Sequence, residues 1–121
     1  MKLFKKVIKS FGYAFKGVRF FLKERNIKIH LFVSSVVVLA GFLFNVNVYE
    51  WMVIVFAIGF VVSLEVVNTL IEEIIDFVCI AKNGQVMIIK DLAAAAVLVA
   101  AITSMIIGAI IFVPKIIILL Q

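Results

Sequence analysis

The 121-residue sequence has little of what builds a soluble catalytic site. It carries one cysteine, Cys79, and one histidine, His30, so no disulfide forms within the chain and a zinc site built on thiolates and imidazoles is excluded. There is one proline, Pro114, and there is no glycine-rich GxGxxG loop. Gly12 and Gly17 stand at the P-loop interval, but Val18 follows where that motif requires lysine. The protein-kinase signature set is also missing. Charge is scarce after residue 30, where 91 residues hold three cations and six acids for a net −3. The first 30 residues hold nine cations and a single acid, Glu24, for a net +8.

What fills the chain instead is hydrocarbon. Apolar types make up 66% of the residues, against roughly 45–50% in soluble domains, and mean hydropathy is +1.30. A chain this short has too much surface to hide that surplus from water, so its natural solvent is lipid. A basic head on such a body points to a membrane surface rather than to nucleic acid.

The apolar pattern predicts an all-α membrane protein with one domain over residues 1–121. In residues 1–29, Phe4, Val7, Phe11, Phe15, Val18 and Leu22 fall on one helical face with lysines opposite, the pattern of an amphipathic helix in the headgroup layer. The interleaved cations and the lack of a small-residue cleavage site argue against a signal peptide. Three transmembrane helices are expected at about 31–49, 51–80 and 92–120, with Tyr49 and Trp51 as interface anchors beside the first turn. Pro114 and Lys115 mark the end of the third span or a kink in it. The cations of the head and of the 81–91 loop, Lys82 and Lys90, place the N-terminus in the cytoplasm and the C-terminus outside. Ala94, Ala101 and Gly108 recur every seven residues, which suits close helix packing between copies or within one chain equally.

The chemistry concentrates in residues 65–76. Advancing 100° per residue puts Glu65, Asn68, Glu72 and Asp76 in an arc of about 80° on an otherwise apolar helix. Acids in a spanning helix cost on the order of 2.5–3.5 kcal/mol each near the bilayer centre, so the stripe needs a reason. A solvated face, an ion or proton pathway, and a cation-assisted reaction at the inner surface all remain open. Oxygen donors without histidine or thiolate suit magnesium. Glu65 and Glu72 lie roughly 10 Å apart along the axis, too far to share one ion closely. Glu65, deeper and flanked by Leu64, Val66 and Val67, is the candidate general base, and Glu72 the candidate metal ligand. Lys90 and Asp91 close the same loop and could supply a phosphate-neutralising cation and a further acid.

These residues resemble the small bacterial integral-membrane lipid kinases, the diacylglycerol and undecaprenol kinases. The resemblance rests on Glu65, Asn68-Thr69, Glu72 and Asp76 at the family's spacing, on Lys90-Asp91 followed by alanines, and on Glu24 opening the first span. It implies ATP-dependent phosphorylation of a membrane lipid hydroxyl by a homotrimer in the bacterial cytoplasmic membrane, with sites shared between chains. By position, Glu65 is the base and Asn68 orients the centre; Glu24 and Glu72 hold Mg-ATP; Tyr13, Asp76, Lys90 and Asp91 contact the nucleotide or brace groups that do. Residues 83–87 (Asn-Gly-Gln-Val-Met) replace the family's usual His-Pro-Leu-Ala-Lys. Undecaprenol is the expected substrate, with diacylglycerol as the alternative. Among lesser features, His30 is expected at the interface closing the surface helix, with contact to a phosphate as the alternative, Cys79 as a buried apolar filler, and Glu73 as solvated or paired with Lys or Arg.

Overall fold

The computed structural model describes residues 1–79, 81 and 83–121, all of it helix and short connections. Helix α1 spans Lys2–Phe21, α2 Arg25–Leu43, α3 Val48–Val78 and α4 Gly84–Leu119. The last three are long and apolar enough to cross a membrane. Ile80, the expected end of the second span, and Lys82, one of the loop cations, lie outside the described residues.

The helices begin earlier than the uncharged runs do. Hydropathy locates apolar residues, whereas a helix starts where its first amides find acceptors. Asn83 Oδ1 accepts from the Val86 amide at 2.9 Å, so α4 starts at Gly84 rather than near 92. Lys90 and Asp91, expected in a loop, therefore sit on α4. The departure at 83–87 coincides with this cap.

The α2–α3 turn also falls earlier than expected, at residues 44–47. Asn45 adopts a left-handed φ of 51°, a conformation asparagine tolerates better than most residues. The Val46 amide donates to the Gly41 carbonyl at 3.1 Å and the Asn45 amide to the Phe42 carbonyl at 3.3 Å. That pair of bonds is a Schellman motif. Asn47 then opens α3 with a capping box: its Oδ1 accepts from the Glu50 amide at 2.9 Å, and its own amide donates to Glu50 Oε2 at 2.8 Å. Four residues suffice to reverse the chain.

Helices α2, α3 and α4 run antiparallel in sequence order. Val46, Ile54 and Ile111 form a buried cluster near the α2–α3 turn, with Val37, Trp51, Ile58, Ile107 and Phe112 against it. Trp51 is half-buried there, its ring against Gly41 and 4.9 Å from the Phe42 ring. Lys115 Nζ lies 3.1 Å from Glu50 Oε2, tying the ends of α3 and α4 together. Helix α4 runs through Pro114 to Leu119. Of the small residues on α4, Ala93 and Ala100 are buried and Ala94 is exposed. On α1 only Phe21 is buried.

At 1.5 Å per residue, the 31 residues of α3 reach about 46 Å and the 36 of α4 about 54 Å. Both exceed a hydrocarbon layer of about 30 Å. Part of each projects beyond it, and polar side chains gather where the second half of α3 meets the start of α4.

Candidate functional site

Helix α3 buries Ile54, Ala57, Val61, Glu65 and Asn68, at steps of three and four residues. The acid stripe is thus the continuation of the face that α3 packs against its neighbours. Burial falls along it: Glu65 is 2% exposed and Asn68 4%, Glu72 is half-buried, and Asp76 is exposed. A merely solvated face does not account for Glu65 and Asn68, although it does for Glu73, which is exposed as expected.

Three pairings organise the stripe. Asn68 Nδ2 donates to Glu72 Oε1 at 3.3 Å, one helical turn on. Lys90 Nζ on α4 donates to Asp76 Oδ1, closing the α3–α4 hairpin. His30 Nε2 on α2 lies 3.5 Å from Glu65 Oε2. His30 is therefore no isolated interface residue. Sequence reading missed it because its partner is on another helix; the signal was the lone histidine, one turn into an apolar span.

One atom is left over. Asn68 Oδ1 is buried without a hydrogen-bond partner. Buried amide oxygens are nearly always satisfied, so this one, without a partner among the described residues, is available as an acceptor. The Nδ2 of the same amide is bonded to Glu72, while Asp76 lies about two turns further along α3, paired with Lys90. Oxygen donors of this kind suit a hard divalent cation better than zinc. Among the described residues, no group of three or more His, Cys, Asp and Glu side chains gathers to hold an ion by itself.

The other expected residues make no side-chain hydrogen bond or ion pair with the stripe among the described residues. Glu24 is the half-buried N-cap of α2, with no side-chain capping bond. Tyr13 is exposed on α1, with Lys9 Nζ 5.9 Å and Lys16 Nζ 5.7 Å from its ring centre. Asp91 is exposed on α4. Cys79, expected as buried filler, is exposed because it caps the end of α3.

An apolar cavity of about 340 Å³ opens between α2, α3 and α4. His30, Ser34, Ala57, Val61, Ser104 and Gly108 contribute to its lining. Its walls can take a hydrocarbon chain, and one of its few polar groups touches Glu65.

Comparison with known proteins gives two relatives and a family. Residues 12–112 match the family described as prokaryotic diacylglycerol kinase. The chain is 40% identical over 108 residues to an undecaprenol kinase of Bacillus subtilis, a match covering 88% of each chain. It is 36% identical over 107 residues to a diacylglycerol kinase of Synechocystis sp., covering 87% of this chain and 61% of that one. No solved structure matches.

Proposed function

The chain belongs to the prokaryotic diacylglycerol kinase family, and from that premise we propose that it phosphorylates undecaprenol with ATP at the inner face of the bacterial cytoplasmic membrane. It is an enzyme, a lipid kinase. The observation that carries the finer reading is the burial of Glu65 on the packed face of α3, where a carboxylate is costly unless used.

In this reading Glu65 takes the proton from the lipid hydroxyl as its oxygen attacks the γ-phosphorus. The bond from that phosphorus to the β,γ-bridging oxygen breaks and ADP leaves. Asn68 orients the centre, with its free Oδ1 as acceptor. Glu24 and Glu72 would hold the magnesium of Mg-ATP, which when bound offsets the negative charge of the phosphates. Asp76, Lys90, Asp91 and Tyr13 contact the nucleotide or brace groups that do. Phosphoryl transfer depends on such positioning and charge neutralisation rather than on covalent chemistry by the protein.

The protein acts as a homotrimer with sites shared between copies. Among the described residues no side-chain hydrogen bond or ion pair joins Tyr13 or Glu24 to the stripe of their own chain, which supports this. Helix α1 lies in the headgroup layer, the N-terminus faces the cytoplasm and the C-terminus the outside.

Undecaprenol is favoured over diacylglycerol by the relative that this chain matches over 88% of both lengths. The Synechocystis relative keeps diacylglycerol as the second reading. The deciding experiment offers purified protein both lipids in parallel, in micelles with Mg-ATP. Phosphorylated undecaprenol in excess, lost on chelation of the divalent ion, is the expected result. Preference for diacylglycerol gives the second reading, and failure to phosphorylate either lipid ends both.

A further inference from the structure

We propose that His30 is a positioning residue for this transfer: its Nε2–H holds Oε2 of Glu65, leaving the other carboxylate oxygen to meet the lipid hydroxyl. The inference rests on the phosphotransfer reading above and assigns it a residue from a second helix.

Four observations converge on His30. Its imidazole is 3.5 Å from a carboxylate whose side chain is only 3% exposed, while its own is 24% exposed. A buried carboxylate needs a donor, and among the described residues no side-chain hydrogen bond reaches Glu65 from elsewhere. His30 also lines the apolar cavity, so it stands between the base and the space suited to a lipid chain. The contact also joins α2 to α3, so the donor is carried on a different helix from the carboxylate. The 3.5 Å separation exceeds a hydrogen bond, and catalytic contacts of this kind are often long until substrate is in place.

The chemistry assigned to His30 is orientation, not proton transfer. A carboxylate on α3 has rotamers to choose from; a donor fixed on α2 selects one. Misplacing a reacting group by about 1 Å costs up to about 100-fold in rate.

The test compares His30→Leu, which removes the donor, with His30→Gln, whose amide N–H reaches nearly as far as Nε2, and with the shorter His30→Asn. Each is made in the full chain and again with Glu65→Asp, whose carboxylate is withdrawn from His30. Turnover is measured against undecaprenol, and nucleotide affinity is followed separately. His30→Leu and His30→Asn should lower kcat roughly 10- to 100-fold with the KM for ATP unchanged. His30→Gln should stay within about threefold of the parent. With Glu65→Asp present, His30→Leu should add less than about twofold, because the contact is already gone. Equal losses in the Leu and Gln variants, or the same factor on both backgrounds, overturn the positioning role. Should His30→Leu not fold, the Gln and Asn variants decide the matter by the same criterion. An unmodified protein that phosphorylates no lipid takes down the parent reading and this one together, whereas an active protein indifferent to His30 sinks this one alone.

Discussion

Where α2 turns into α3, the backbone and side chains are closely matched to one another. A Schellman motif and a capping box satisfy the amides of residues 45–47 and 50, Trp51 covers Gly41, and Lys115 meets Glu50. At the other end of α3 the opposite holds. Asn68 Oδ1 is buried without a partner, Glu65 has only a 3.5 Å contact with His30, and Asp76 is paired yet exposed. The same helix is completed at one end and left open at the other. Unsatisfied buried polar atoms lower stability, so retaining them where the acids gather is what a binding and reacting site requires. The first end holds the bundle, and the second carries the residues proposed for the reaction.

The sharpest way to break this contrast is Glu65→Gln, which keeps the shape and removes the base. Lipid phosphorylation should fall about 1,000-fold, within the range that proton transfer contributes. Nucleotide affinity should be unchanged, and the unfolding midpoint in micelles should not fall, since the amide keeps the shape of the side chain and carries no charge to desolvate. A tenfold loss or less would mean the burial of Glu65 is structural and the contrast between the ends is false.

Next in size is Gly41→Ala at the completed end. A Cβ there would stand 2.6 Å from Trp51 Cη2 and 2.9 Å from Cζ2. The ring is backed by the Val46, Ile54 and Ile111 cluster, so it has little room to yield. Overpacking of this kind costs about 1–3 kcal/mol, read as a lower midpoint with turnover per folded molecule unchanged. Introduced after Trp51→Leu, the same alanine should cost clearly less, because its clash partner is gone. Equal costs with and without Trp51 would place the fault elsewhere.

The two ends also differed in how far they could be read from sequence. The stripe at 65–76 was legible because all its members share one helix, and the 3.6-residue period alone puts them on one face. That this face is also the packed one, with Ile54, Ala57 and Val61 in line with Glu65, needed the neighbouring helices in place. His30 stayed invisible for the same reason, since its contact with Glu65 is made only when α2 lies against α3. Helix starts were misplaced wherever a cap outranked hydropathy. Asn83 begins α4 ahead of the apolar run, and that moves Lys90 onto the helix where it meets Asp76. The turn at 44–47 hinged on the left-handed Asn45, a backbone state that asparagine permits but does not announce.

The smallest effect concerns the first residue of that sequence-local device. Asn47 closes its capping box through two short bonds with Glu50, both at the exposed rim of the bundle. Asn47→Ala removes one acceptor and leaves the Glu50 amide to water, at a cost of about 1 kcal/mol. Asn47→Ser should retain most of that, because a hydroxyl can accept the same bond. Neither change should alter turnover, since Glu65 lies about 27 Å from the cap along the α3 axis. A parallel loss of stability and activity would show the two ends to be energetically joined through α3, and the division of labour argued from their geometry would then have to be given up.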